Sequence, residues 1–185
     1  MIGRPSYLGV ATDGWVAILK SSNSLERRLA AHALAQIGPA APEAVTPLVE
    51  ALRDPVSFVR VWAAAALARV QPDNPDAILA LAAGTHDEMA FVRSLAAWHL
   101  GRLGPTHPGI ESAAPELGNL LNDNDPSVRA EAKVALENLA GKGSPPAELK
   151  SLSPTPDPAG SPGAAQQMSA GGGVHPHSRP REPTT

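Results

Sequence analysis

The side chains of this 185-residue chain best suited to acid–base or metal chemistry are its six histidines, His32, His86, His99, His107, His175 and His177. Imidazole titrates near neutral pH and is the commonest metal ligand, but either use requires a second group converging on it. The spacing supplies none. No His-Glu-x-x-His, Gly-x-Ser-x-Gly, phosphate loop or dinucleotide fingerprint occurs. His32 and His99 stand at non-equivalent positions, His86-Asp87-Glu88 reads as a loop triplet, and His175-Pro176-His177 lies in a Pro/Gly-rich tail. The absence of cysteine removes disulfides, thiol catalysis and thiolate metal sites. The expectation is a non-enzyme with no catalytic residue, no cofactor and no metal.

The residues that do recur are arginines. Arg-x-x-Ala-x-x-x-Leu occurs at Arg27/Ala30/Leu34, Arg60/Ala63/Leu67, Arg93/Ala96/Leu100 and Arg129/Ala132/Leu136. A period of 33 to 36 residues is the signature of stacked helical units rather than of one central core. Other positions repeat with them. Six residues before each arginine stand Ser21, Asp54, Asp87 and Asp123. Immediately before it stand Glu26, Val59, Val92 and Val128, and ten after it Ile37, Val70, Leu103 and Leu139.

These offsets fall on one stripe of an α-helix. The invariant Ala lets a neighbouring helix approach, and the Leu one turn later fills the space beside it. Gly38-Pro39 and Gly104-Pro105 read as stops, and Asp54-Pro55 and Asp125-Pro126 as N-caps followed by Pro at the first helical position. Second helices are predicted over Pro42 to Arg53, Pro75 to Ala83 and Gly109 to Asn122. Pro47 and Pro115 sit at matching places in two of them and either start or kink their helices. Trp15 to Lys20 reads as a second helix whose first helix is missing. In the last unit Glu131 and Lys133 replace residues that are apolar in the other units, as an end cap requires.

The stretches DPVSFVRVWAAAALARV and NDPSVRAEAKVALENLAG resemble the HEAT repeat, above all the short bacterial form first noted in phycobilisome lyases. The resemblance implies an all-α fold, a right-handed α-solenoid of about four HEAT-like two-helix repeats. It also implies that the Asp and Arg positions bond from one unit to the next, with Ser21 departing from the pattern. The organisation expected is an N-terminal extension over 1–13, a repeat domain over 14–141, and a disordered Pro/Gly/Ser-rich tail over 142–185.

HEAT units serve unrelated activities, so fold alone does not fix function. Solenoids of this kind present their second helices on the concave face, a long shallow surface suited to a protein partner. The polar positions expected there are Glu43, Glu50, Arg53, Asp76, Glu116 and Asn119; Trp98, on a first helix, is a further candidate as an aromatic anchor for a partner. Phe58, Phe91, Trp62 and Trp98 are otherwise expected to fill gaps left by the many alanines. The net charge of −3 disfavours a nucleic-acid partner, and the amino-terminal stretch MIGRPSYLGVATDG has no apolar run long enough for a signal peptide or membrane span. The reading is therefore a cytoplasmic scaffold that binds a protein. The alternative implied by the resemblance is a subunit of a phycobilin lyase or a related lyase-type protein.

Overall fold

The computed structural model describes residues 5–142. The expected tail lies, apart from Lys142, outside the described residues. Two short strands, β1 (Ser6–Tyr7) and β2 (Val10–Ala11), precede eight helices: α1 (Thr12–Ile18), α2 (Ser24–Ile37), α3 (Val45–Ala51), α4 (Ser57–Val70), α5 (Pro75–Gly84), α6 (Ala90–Leu103), α7 (Ala114–Leu120) and α8 (Pro126–Leu139). The even-numbered helices are the long first helices carrying the arginine motif, and the odd-numbered ones are the shorter second helices. The architecture is the expected α-solenoid.

The recurring apolar positions close its interior. Ala30, Ala63, Ala96 and Ala132 have no exposed surface, nor do Leu34, Leu67 and Leu100. From the second helices Leu48, Leu81 and Leu117 meet them, fully buried at equivalent places, with Trp15 in the same place on α1. Each such leucine contributes about 1.5–3 kcal/mol by leaving water. Because each unit shares its core only with its neighbours, the ends must be closed differently. At the far end Lys133 and Glu137 occupy positions that are buried Ala or Gly in inner units, and they pair with each other at 4.0 Å. Glu131, expected to share this role, is instead half-buried on the outer side of α8.

The near end is closed by the β1–β2 hairpin, which the sequence reading missed. Leu8 and Gly9 form its two-residue turn with φ of 52° and 77°, the left-handed pair of a type I′ turn. The Trp15 indole N–H donates to the Tyr7 carbonyl (3.2 Å) and the Thr12 hydroxyl to the Pro5 carbonyl (3.1 Å). The half-unit therefore starts at Thr12 and is roofed by a hairpin in place of a first helix.

Helix stops follow the sequence closely. Gly38 and Gly104 take φ of 62° and 75° after α2 and α6, a conformation costly for any residue with a Cβ. Pro47 and Pro115 both lie in the first turn of their helices, and neither helix is interrupted there. They are one place apart relative to the buried Leu48 and Leu117. Asp125 caps α8 through Ser127 N–H (2.8 Å), as expected, but Asp54 does not cap α4. That helix starts at Ser57, and Asp54 instead accepts from Val56 N–H (2.9 Å) and faces the preceding unit. Two aspartates that look alike next to proline thus have different work.

The arginine and aspartate positions bond along the stack. Arg27 grips Asp54 with two hydrogen bonds (2.6 and 2.9 Å), and Arg93 grips Asp123 likewise (2.7 and 2.8 Å). Each arginine also donates to two carbonyls before its own helix, Ser21 and Ser22 for Arg27, Asp87 and Glu88 for Arg93. The planar guanidinium thereby fastens the turn between two helices and the next unit at once. The middle rung is weaker: Arg60 stands 3.5 Å from Asp87 and is more exposed than its counterparts. The same seam is the loosest of the first-helix layer, since α4 and α6 meet over much less of their length than α2 and α4 or α6 and α8. Its contents explain this. Trp62 and His99 wedge into it with ring centroids 4.7 Å apart. His99 replaces the alanines that stand at this place in the other units, Ala33, Ala66 and Ala135. In the α6–α8 seam, by contrast, Gly101 lies so near α8 that a Cβ there would sit 2.7 Å from Ala135 Cα.

Candidate partner-binding faces

The solvent-facing stripe of each second helix follows from its period. Once Leu48, Leu81 and Leu117 point inward, positions about half a turn away must face water. Glu43, Glu50, Arg53, Asp76 and Asn119 are exposed, and Glu116 is partly exposed. Glu50 and Arg53 line one shallow depression of about 170 Å³ with Leu19, Lys20 and Pro47, floored by Ala51 and the rung carboxylate Asp54. Glu43 and Asp76 sit apart from it, in the first turns of successive second-helix segments. Glu116 is drawn to His86 at 2.7 Å, and the Asn119 side-chain amide donates to the same Glu116 oxygen at 3.5 Å. Trp98 is not part of this stripe. It belongs to α6, half-buried under Arg102, whose guanidinium carbon is 4.6 Å from the ring centroid.

Electrostatics mark the rungs as structural. The hydrogen bond from Arg93 holds the Asp123 carboxyl below the usual carboxylate range, helped by the Asp125 N–H. Burial pushes the Asp54 carboxyl up, but the bonds from Arg27 and Val56 N–H outweigh it and leave it lowered. Both carboxylates are thus committed to the stack.

The first helices carry a second feature. Tyr7, His32, Trp62, His99 and Trp98 form a file of edge-to-face rings crossing from the hairpin to α6, with centroid spacings of 4.7 to 5.9 Å. Burial lowers the His99 imidazole to about 3, with Arg102, His32 and Arg69 adding to the shift, so the ring is neutral. Its Nε2 is buried without a hydrogen-bond partner. His32 is lowered in the same direction by burial, then by Arg28 and Arg69. His107 instead reaches from its loop to the Ala68 carbonyl at 3.1 Å. Among the described residues no group of three or more His, Asp or Glu side chains is placed to hold a metal ion, and no helix is long and apolar enough to cross a membrane.

Sequence reasoning missed this file because its members sit at different offsets from their arginines. The positions two before, and two, five and nine after, each arginine make one outer helical stripe. Reading along them would have brought His32, Trp62 and Trp98 together. The same stripe corrects the expectation that the aromatics only fill gaps. Phe58 and Phe91 stack at 5.3 Å, but Phe91 is half exposed.

Comparison with known proteins accords with this geometry. The family model for HEAT repeats matches residues 12–101, and that for the PBS lyase HEAT-like repeat matches residues 92–123. No curated protein matches the chain. Among solved structures, an engineered protein from the Northeast Structural Genomics Consortium is 30% identical over 71% of this chain, with a TM-score of 0.50, and the match spans 63% of that protein's length. The complex of CpcE and CpcF of phycocyanin lyase from Nostoc sp. PCC7120 is 25% identical over 70% of this chain and 78% of the matched chain (TM-score 0.49). A second engineered protein is 31% identical over 70% of this chain and 37% of its own length (TM-score 0.47). Repeat period, rung chemistry and both family models agree that the chain is a HEAT-repeat protein with phycobilisome-lyase-like units.

Proposed function

We propose that the protein is a non-enzymatic scaffold that binds a protein partner along the exposed stripe of its second helices. One observation carries this reading. The work of holding the fold is done by the recurring rung residues and the inward leucines, whereas Glu50 and Arg53 are exposed, take no part in the rungs, and share the depression between α1 and α3. Depressions lined by apolar side chains and rimmed by opposite charges suit an extended partner, whose charges they orient and whose apolar groups they shelter. Glu43 extends the polar stripe within the same unit, and Asp76, Glu116 and Asn119 continue it across the following units.

The test is capture on the immobilised chain, with Glu50→Arg combined with Arg53→Glu as the comparison. The wild type retains a partner and the charge-reversed variant loses it while melting at the same temperature. Equal retention by both would overturn the assignment to this face. A second reading, a subunit of a phycobilin lyase, is favoured by the match of residues 92–123 to the PBS lyase HEAT-like repeat. Incubation with a bilin and an acceptor protein distinguishes the two: covalent pigment attachment, read by absorbance, would refute the non-enzymatic scaffold.

A further inference from the structure

The outer side of the first helices is unusually apolar for a surface facing water. Leu25, Leu29, Met89, Phe91 and Val134 each keep 45% to 51% of their surface exposed. Leu25, Phe58 and Phe91 stand at the same place in three successive units and form a ridge along the stack. Exposed apolar surface of this continuity marks contact sites on soluble proteins. Eleven positions further along the same helices, about 16 Å at 1.5 Å per residue, the character changes to cationic. Arg69 and Arg102 stand nine after their motif arginines; Arg28 on α2 lies only three positions past Leu25, but with Arg69 it acts on His32. Among the described residues no carboxylate forms a salt bridge with Arg28 or Arg69. The acidic member of these outer rows, Glu131, lies on α8 at the far end of the stack.

We propose that this outer face docks a segment of a partner protein in which acidic residues are followed or preceded, about five residues away, by large apolar ones. The carboxylates meet Arg28 and Arg69, and the apolar side chains lie on the Leu25–Phe91 ridge. Five residues of extended chain span about 16 Å, the distance along α4 from Phe58 to Arg69. Charge complementarity selects this occupant over the others. Residues 143–185 carry Glu148, Asp157 and Glu182 against Lys150, Arg179 and Arg181, so the chain's own tail brings no acidic excess. A second copy paired through this face would bring from its outer rows only one carboxylate, Glu131, at the far end of the stack. This surface is separate from the second-helix stripe, so its failure would leave the scaffold reading intact.

The experiment uses the full chain and fluorescein-labelled peptides with a Glu pair and a Leu pair about five residues apart, read by anisotropy. The wild type binds this peptide saturably and does not bind the same peptide with Lys in place of Glu. Arg28→Glu with Arg69→Glu weakens binding of the Glu peptide at least about tenfold and gains binding of the Lys peptide. Phe91→Ser weakens the Glu peptide with no gain of the Lys peptide. Thermal melts confirm that each variant is folded, and the exchange of peptide preference cannot arise from unfolding. Absence of saturable binding, or equal binding by the double variant, overturns the proposal. So does a synthetic peptide of residues 143–185 that binds as tightly as the Glu peptide, which would make the tail the occupant. Self-association of the wild type abolished by Phe91→Ser would assign the face to a second copy and overturn it equally.

Discussion

His99 makes the stability of this stack sensitive to mild acid. Its imidazole is buried in the α4–α6 seam between Trp62 and Trp98. Burial, with Arg102, His32 and Arg69, holds it at about 3 in the folded chain against 6.5 when exposed. A base whose folded value is depressed stabilises the fold above its unfolded pKa, and that stability is lost as pH falls from about 6.5 toward 3. At about pH 5 nearly every unfolded chain carries the proton and nearly no folded one does. The loss relative to about pH 7.5 is then RT ln(1 + 10^1.5), about 2 kcal/mol. The figure is insensitive to the folded value, because any value below about 4 leaves the buried ring neutral at pH 5. For a repeat domain of this size 2 kcal/mol corresponds to a fall in melting temperature of about 6–10 °C. His32 acts in the same direction, and Glu131, raised by burial, acts in the opposite one. The lowered Asp54 and Asp123 contribute only in stronger acid, below the ordinary carboxylate range. The measurement is therefore a difference. Urea unfolding followed by circular dichroism at the two pH values, for wild type and His99→Gln, isolates the ring. The variant should lose about 2 kcal/mol less than the wild type on acidification. Equal losses would refute the claim that His99 is held neutral by its burial.

Four further outcomes follow from the packing. Arg93→Ala should cost about 1–3 kcal/mol, since it strips the partly buried Asp123 carboxylate of its guanidinium partner and leaves it the Asp125 N–H, whereas Arg60→Ala should cost under about 1 kcal/mol across its longer, more exposed link; urea midpoints compare them, and equal costs would count against rungs of unequal strength. Gly101→Ala should destabilise by about 1–3 kcal/mol, because the new methyl would meet the Ala135 backbone rather than a movable side-chain end; an unchanged midpoint would show that α8 shifts freely. Lys133→Leu with Glu137→Leu should convert the end cap into an inner-type face and produce end-to-end association in sedimentation, while a strictly monomeric variant would show that these two residues do not act as the cap. Truncation after Lys142 should leave the melting temperature within about 1 °C of the full chain, and a large fall would place part of the stabilising contacts beyond that residue.

The layout of the repeats was legible in the sequence because their constraints are local and recur. Each arginine brings its own inward Ala and Leu, and each stop its own Gly, so four weak signals reinforce one another at a fixed spacing. Where a signal occurs once, reading fails. The β1–β2 hairpin has no counterpart in other units, and its strands are two residues each, too short to show alternation. Asp54 and Asp125 share the dipeptide Asp-Pro but differ by two places from their arginines, and only the rung geometry separates them. The second-helix residues Glu43, Glu50, Arg53, Asp76 and Asn119 were placed on the surface by helical period alone. Which of them share a depression depends on how α1 and α3 lie against each other, which no single helix encodes. The ring file was hidden for the same reason, since its contacts run between helices.

A beam bends where it is least stiff. The joint between α4 and α6 combines the longest of the three Arg–Asp links, 3.5 Å, with a wedge of two rings where the flanking joints have alanine or glycine. Flexing should therefore concentrate there, with α1 to α4 and α6 to α8 moving as two straighter arms joined through α5. The exposed stripe of the second helices crosses that elbow. A ligand gripping both arms would sense the angle between them, and its grip would fix that angle in turn.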